Sequence, residues 1–561
     1  MSFTTRPELR GTFGMVASTH WLASGAGMAV LERGGNAFDA AVAAGFVLQV
    51  VEPHLNGPGG DVPAIVWPAE RGEPVVVCGQ GPAPEAATIE AYRSLGLDLV
   101  PGTGPYAAVV PGAFDAWCLM LRDFGTWELA DVLEAAIGYA AGGYPVVPGI
   151  RSAVLGLPRE WTSSAEIYAS VPEAGQLFRN RALADTYGRI ARSGGGSREA
   201  RIDAARDAFY RGWVAEAILA SDERGLLSGD DLAGWAATLE VPVTLDYHGH
   251  TICKTGPWGQ GPVLLQQLAL LAGFDLASMG PADFIHTVAE CAKLAFADRD
   301  AWYGDPDFVD VPLDALVSAG YADERRALVG ERASAELRPG APDGREPVLP
   351  PLVSGPGGAT IEPTVGLAGD TCHLDVADRH GNLVSATPSG GWLHGAAVVP
   401  GLGFCLGTRA QMFWLAEGLP SSLEPRKRPR TTLTPTLVLR DGEPYMAIGT
   451  PGGDMQDQWQ LWALLGHLHL GRDLQAAIDA PSFHVNHFPS SFHPRELSLN
   501  ELELEERAGP DVVAELRRRG HDVLVQPPWS LGRVSAVARE PGGMLKAGAN
   551  PRGMQGYAVG R

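Results

Sequence analysis

Thr371-Cys372-His373-Leu374-Asp375-Val376-Ala377-Asp378 alternates like a β-strand, and Arg379-His380-Gly381-Asn382 turns it into a second run at residues 383–387. The preceding stretch has the opposite character. Residues 342–370 are crowded with Pro and Gly, show little periodicity, and read as an irregular connector. A connector that runs into a strand headed by Thr suggests a particular chemistry. Cutting the Asp370–Thr371 bond would give Thr371 both a hydroxyl and a free α-amine. Such an amine has a reference pKa of about 7.7–8.0, low enough to take the hydroxyl proton near neutrality. One residue would then supply nucleophile and base. Thr is also common at the start of purely structural strands, so this feature by itself leaves both readings open.

C-terminal to this stretch, residues 436–440 and 445–448 read as a second hairpin turning through Asp441-Gly442. Thr450-Pro451-Gly452-Gly453-Asp454 then opens a helical run from Met455 to about His469. Glycines at a strand-to-helix turn let backbone N–H groups approach a ligand, and a helix N-terminus favours negative charge. That combination could stabilise an oxyanion, or it could simply be a tight turn that needs positive φ.

On the N-terminal side, residues 20–51 read as two helices around Gly34-Gly35, the second well buried. A glycine-rich loop follows at residues 56–61, then β-type runs at 64–67 and 75–78, with helical patterns at 127–141 and 283–302. Residues 193–197, Ser-Gly-Gly-Gly-Ser, read as a surface loop. Residues 57–60 lack the spacing and the Lys-Ser/Thr end of a phosphate loop. His248 and His250 have no clustered carboxylates or thiols beside them, so no metal is expected there. His467 and His469 read as packing or capping residues near a helix end.

Composition narrows the function classes. With 45% hydrophobic and 19% charged residues, the 561-residue chain has the balance of a globular protein able to bury a large core. Acidic residues outnumber basic ones by 65 to 43, a formal charge of −22, which repels nucleic acid and anionic membrane surfaces. The longest apolar run near the N-terminus, residues 40–48, is too short to span a bilayer. The six cysteines are scattered without a CxxC pair, which suits a reducing compartment. A cytoplasmic location is the expectation.

Over nearly its whole length the chain resembles the γ-glutamyltransferase family of N-terminal-nucleophile (Ntn) hydrolases. The resemblance is carried by Met15-Val16-Ala17-Ser18, Gly34-Gly35-Asn36-Ala37-Phe38-Asp39-Ala40-Ala41, Val110-Pro111-Gly112, Phe209-Tyr210-Arg211-Gly212, Lys427-Arg428-Pro429, Ala480-Pro481-Ser482-Phe483-His484 and Asn550-Pro551-Arg552. It implies an α+β fold, the four-layer αββα sandwich, and self-cleavage between Asp370 and Thr371 into chains 1–370 and 371–561 that stay together. It also implies a cofactor-independent enzyme with Thr371 as nucleophile, Ser389 as its hydrogen-bonding partner, and Gly452 and Gly453 as the oxyanion hole. Thr431-Thr432 stands where a Ser-Ser pair contacts substrate carboxylate.

The same resemblance exposes departures in substrate recognition. Gln80 aligns with the Arg that holds the α-carboxylate, and a neutral amide is a poor substitute for a bidentate guanidinium. Gln411 and Met412 fall near the Asp that binds the α-amino group, and Gly391 replaces an Asn at that end. The implied substrates are γ-glutamyl compounds such as glutathione, with water or an amine as acceptor. The altered pocket opens the alternative of an oxamate-like amide or an acylated β-lactam nucleus. A second alternative, of another class, is a family member that binds without ever maturing.

Overall fold

The hairpin headed by Thr371 lies inside one of two seven-stranded antiparallel sheets in a computed structural model that describes residues 3–221, 225–352 and 371–561. Its sheet runs, edge to edge, Tyr557–Gly560, Gly14–Ser18, Leu374–Asp378, Leu383–Ala386, Val62–Trp67, Val75–Gly79 and Thr238–Glu240. The second sheet runs Leu9–Gly11, Leu545–Ala549, Ser535–Arg539, Glu443–Gly449, Thr436–Arg440, His250–Lys254 and Val243–Tyr247.

Strand alternation assembles the layers. Met15, Ala17, Ile65, Trp67, Val76 and Ala377 from the first sheet meet Leu437, Leu439, Ala447, Val537 and Ala547 from the second in one buried cluster between the sheets. Their neighbours face outward. Val16, Ala64, Val66, Val77, Leu374 and Val376 pack against helices Trp21–Glu32, Ala37–Val51, Ala113–Phe124 and Leu129–Gly142. Ile252, Val438, Met446, Ile448 and Ala536 pack against helices Pro262–Leu271, Pro281–Trp302 and Gln456–Leu468 on the far side. The result is the expected αββα sandwich, with strands apolar on both faces because both faces are covered.

Most local readings match these elements. Asn36 caps the helix Ala37–Val51 in a reciprocal box with Asp39, and every residue of that helix is buried. Asp441 and Gly442 both take positive φ, 54° and 78°, as a two-residue hairpin turn requires. His248 (φ 47°) and Gly249 (φ 78°) form the turn between the strands Val243–Tyr247 and His250–Lys254. His467 bonds Tyr445 Oη at 2.6 Å and His469 bonds Tyr247 Oη at 2.7 Å, both packing contacts. All six cysteines are buried and free. Among the described residues, no helix is long and apolar enough to cross a membrane.

One boundary differs. The regular strand begins at Leu374 rather than at Thr371, and its partner ends at Ala386. Thr371 still pairs with Ser389 as an isolated bridge, in the register set by Leu374 opposite Ala386. The cause is Pro388, which accepts a bond from the Cys372 N–H at 2.9 Å but has no N–H to return. The connector reading for residues 353–370, Asp370 included, lies outside the described residues.

Asp378 ties this strand to the helix behind it. Its Oδ2 accepts from the Ala37 N–H at 2.9 Å and Asn382 Nδ2 at 2.7 Å. Its Oδ1 accepts from the N–H groups of His380 and Asn382. Replacing Asp378 with Ala leaves buried donors unpaired and should cost about 3 kcal/mol in urea unfolding, by loss of charge-assisted hydrogen bonds. A loss below about 0.5 kcal/mol, the level of an ordinary surface change, would contradict this account.

Candidate active site

Thr371 is 1% exposed, and its hydroxyl donates to Ser389 Oγ at 3.3 Å. Ser389 is in turn held by reciprocal 2.9 Å backbone bonds with Asp61. The Asp61 carboxylate receives Arg409 Nε and Nη2, each at 2.9 Å, in a buried bidentate pair. Burial pushes the Asp61 carboxyl up, and the Arg409 charge pulls it back. The glycine-rich stretch before Asp61 serves this anchor. A Cβ on Gly60 would run into the carbonyl oxygen of Ser389, so only glycine lets the two segments lie this close.

The residues after Thr371 fasten the strand from beneath. The Cys372 thiol donates to Glu52 Oε2 at 3.0 Å and accepts from Asn56 Nδ2 at 3.1 Å. Burial, reinforced by Glu52, holds this thiol well above its ordinary range, so it is a neutral donor and not a competing nucleophile. His373 is held between Thr387 Oγ1 and Asp375 Oδ1, both at 2.9 Å. A Cβ on Gly449, in the other sheet, would strike the His373 ring. Asp375 reaches Ser535 Oγ at 3.1 Å, a second tie between the sheets.

Gly452 and Gly453 leave the other sheet where Glu443–Gly449 ends, with φ of 130° and 54°. A Cβ on Gly452 would strike the Trp459 ring, so this turn requires glycine for both conformation and space. The next residue secures it. Asp454 Oδ1 contacts Arg299 Nη1 at 2.5 Å and Ser491 Oγ at 2.6 Å. Burial alone would raise the Asp454 carboxyl, but Arg299, Arg430 and Ser491 outweigh it and hold it below its ordinary value. Gln260 bridges to the threonine pair. Its side chain donates to the Asp454 carbonyl at 3.1 Å, and its N–H donates to the Thr431 carbonyl at 2.9 Å. Thr432 Oγ1 is buried without a hydrogen-bond partner among the described residues. The structure therefore joins two sets, Thr371 with Ser389 and the glycine turn with Thr431-Thr432.

The remaining sequence candidates differ in what they can offer. Gln80 is buried, with Nε2 on the Gly81 carbonyl at 3.2 Å and Oε1 unpartnered among the described residues. Gly391, at φ 66°, packs within 2.9 Å of the Cys405 carbonyl as measured to an added Cβ, which disfavours any side chain there. Gln411 is committed to the scaffold: its amide donates to Gly102 O, Thr408 O and Thr408 Oγ1, and its oxygen accepts from the His493 N–H. Met412 is buried against Arg409. Asp61, Arg409, Arg299 and Asp454 were not singled out by the sequence reading, since an isolated charged residue carries no local sign of a buried partner 155 or 348 positions away.

His286, Glu290 and His521 gather closely enough to suggest a metal. Glu290 is already paired with Lys293 at 2.7 Å and Arg338 at 3.1 Å, and His286 bonds His521 at 2.9 Å and the Gly330 carbonyl at 2.8 Å, which leaves His521 Nδ1 without a partner among the described residues.

With this geometry in hand, the comparison with known proteins is direct. The gamma-glutamyltranspeptidase family model matches residues 23–560. The chain belongs to that family. The glutathione hydrolase-like YwrD proenzyme of Bacillus subtilis (strain 168) is 32% identical over 98% of this chain and 99% of its own. The acylase ACY 1 proenzyme of Pseudomonas sp. (strain SE83) is 33% identical over 96% of this chain and 92% of its own. The solved structure of LmbA2991HD is 56% identical, covers 100% of both chains, and superposes with a TM-score of 0.94. Gamma-glutamyltranspeptidase relatives therefore include proteins named for acylase as well as glutathione hydrolase activity.

Two measurements test the site. Ser389→Thr keeps the hydroxyl opposite Thr371 and should retain turnover within about tenfold, whereas Ser389→Ala should lose about a hundredfold, the range for a group assisting proton transfer. Equal rates in the two variants would remove Ser389 from the chemistry. The second concerns pH. Burial lowers His20 and His54 from 6.5 to about 3 and His394 to about 4. The unfolded chain binds these protons first, so their contribution is complete above pH 6.5 and is lost as pH falls toward 4 and 3. A His394→Leu variant should lose melting temperature less steeply than wild type between pH 6.5 and 4; parallel curves would refute the assignment.

Proposed function

We propose that this family member is an autoprocessing amide hydrolase or acyltransferase whose nucleophile is Thr371, exposed by cleavage after Asp370. The observation that carries this reading is the buried Thr371 hydroxyl donating to Ser389 at the head of the strand. Cleavage gives chains 1–370 and 371–561. They stay together because Leu374–Asp378 of the second chain lies between Gly14–Ser18 of the first and its own hairpin partner. The new α-amine takes the hydroxyl proton, and Oγ1 attacks the amide carbonyl of a small substrate. The N–H groups at Gly452-Gly453 receive the oxyanion, the amine leaves with the proton, and water or a second amine releases the acyl group.

For the substrate, two readings compete within one chemistry. The family supports γ-glutamyl compounds, glutathione among them. The pocket supports a non-glutamyl amide better: Gln80 replaces a guanidinium, Gln411 has no amide group left to offer, and Gly391 has no side chain. The acylase relative lends weight to this second reading. The six free thiols support a reducing, cytoplasmic compartment.

The test is intact mass and N-terminal sequencing of wild type beside Thr371→Ala. Two wild-type chains, the smaller starting at Thr371, with an uncut variant, are expected. A wild type that stays uncut on prolonged incubation would move a non-catalytic binding role to the front. Hydrolysis of γ-glutamyl p-nitroanilide against simple acyl p-nitroanilides then separates the substrates. A preference of at least tenfold for a non-glutamyl acyl group is expected, and a glutamyl preference would reverse it.

A further inference from the structure

Residues 179–211 carry eight arginines against four acidic residues, in a chain whose formal charge is −22. Three of these arginines are used inside the fold. Arg206 pairs with Asp115, Arg201 with Glu128, and Arg198 donates to the carbonyls of Trp127 and Gly125. Arg189, Arg192 and Arg211 instead line a cleft of about 660 Å³. It is formed by the helices Arg181–Ile190, Arg198–Tyr210 and Trp213–Ser221, which pack on Ala113–Phe124 and Leu129–Gly142. None of the residues lining this cleft belongs to the Thr371 site.

The three guanidinium groups are differently occupied. Arg211 is neutralised, with Nη1 on Asp207 at 2.6 Å and Nη2 on the Ala233 carbonyl at 2.8 Å. Arg189 lies over the Trp213 ring, its guanidinium carbon 3.9 Å from the ring centre. Among the described residues, the side chains of Arg189 and Arg192 make no ion pair and no hydrogen bond. Stacking on an aromatic face fixes the guanidinium plane and leaves its N–H edges free to donate.

The platform under these groups is rigid. Tyr187 Oη donates to Gln49 Oε1 at 2.5 Å, and Phe209 stacks on Phe114 with ring centres 4.5 Å apart. The glycine-rich loop at residues 193–197 closes one side. Gly194 takes φ 70°, and a Cβ there would meet Ala204 Cβ at 2.4 Å, so the loop approaches the helix this closely only as glycine.

Two free guanidinium groups on one wall call for an oxyanion, and charge and size decide which kind. An extended polyanion would meet the excess negative charge of the whole chain. A small ligand meets chiefly the local positive excess, because fields are screened over about 8–10 Å at ordinary ionic strength. A carboxylate carries one charge and fills one guanidinium fork. A phosphate monoester is nearly dianionic near neutrality and offers three terminal oxygens, enough for both arginines. Asp207, which also lines the cleft, disfavours a second anionic end and accepts from a hydroxyl instead.

We propose that this cleft binds a small phosphate monoester, with Arg189 and Arg192 on the phosphate and Asp207 on a hydroxyl of the ligand's neutral part. The site is independent of the nucleophile assignment and of the acyl group cleaved at Thr371.

The experiment is calorimetric titration of the purified protein at low salt with ribose 5-phosphate and AMP, beside ribose, adenosine and inorganic phosphate. At least one ester should bind about tenfold or more tightly than its unphosphorylated parent and than inorganic phosphate. Arg189→Gln and Arg192→Gln, both at exposed positions, should each weaken that ester at least fivefold with an unchanged melting temperature. Arg159→Gln, at an exposed position outside the cleft, should change it less than twofold. Esters that bind no better than their parents, or no better than inorganic phosphate, overturn the proposal. An equal loss in Arg159→Gln also overturns it, since the binding would then follow net charge and not this cleft.

Discussion

The structure turns on one register. Pairing Leu374 with Ala386 sets Thr371 opposite Ser389 three residues further out, and it does so where Pro388 has already ended the regular ladder. A one-residue slip would turn Thr371 away from Ser389 and send Leu374 and Val376 to the wrong face, so burial on both faces of the sheet enforces the alignment. The hydroxyl contact is thus specified by the whole first sheet, and the glycine approach at Gly60 fixes where Ser389 must lie.

Buried charge does a second kind of positioning. Asp61 with Arg409, and Asp454 with Arg299, are ion pairs almost entirely shielded from water. Such pairs add little net stability compared with apolar packing, since removing two charges from water is expensive. Their effect here is directional. A carboxylate that must meet a guanidinium fork in one geometry holds the adjoining backbone in one geometry too. Each pair stands next to a backbone segment of the candidate site, Ser389 in one case and Gly453 in the other. Apolar substitutes could fill the volume but could not set the angle.

Two of the sequence candidates for substrate contact are built into the scaffold. Gln411 is bonded to Thr408 and its surroundings, and Gly391 has no room for a side chain. Beside Thr371, burial and Glu52 hold the Cys372 thiol well above its ordinary range, so it stays a neutral donor.

Much of this could be read along the chain. The alternation after Thr371, the Gly34-Gly35 turn with its Asn36 cap, the Asp441-Gly442 hairpin and the glycine pair at 452–453 are local signals: residue period and φ preference act over a few positions. Together with the spaced family motifs they determined the αββα layering, the candidate nucleophile and its candidate oxyanion turn. Tertiary structure alone decided what those residues touch. Asp61 meets Arg409 across 348 positions, and Arg299 meets Asp454 across 155. No local pattern marks such contacts, because burial and electrostatic pairing depend on which surfaces the folded chain brings together. The sequence determined the elements and the candidate nucleophile; the packing of two sheets determined its neighbours, because only the folded chain brings those surfaces together.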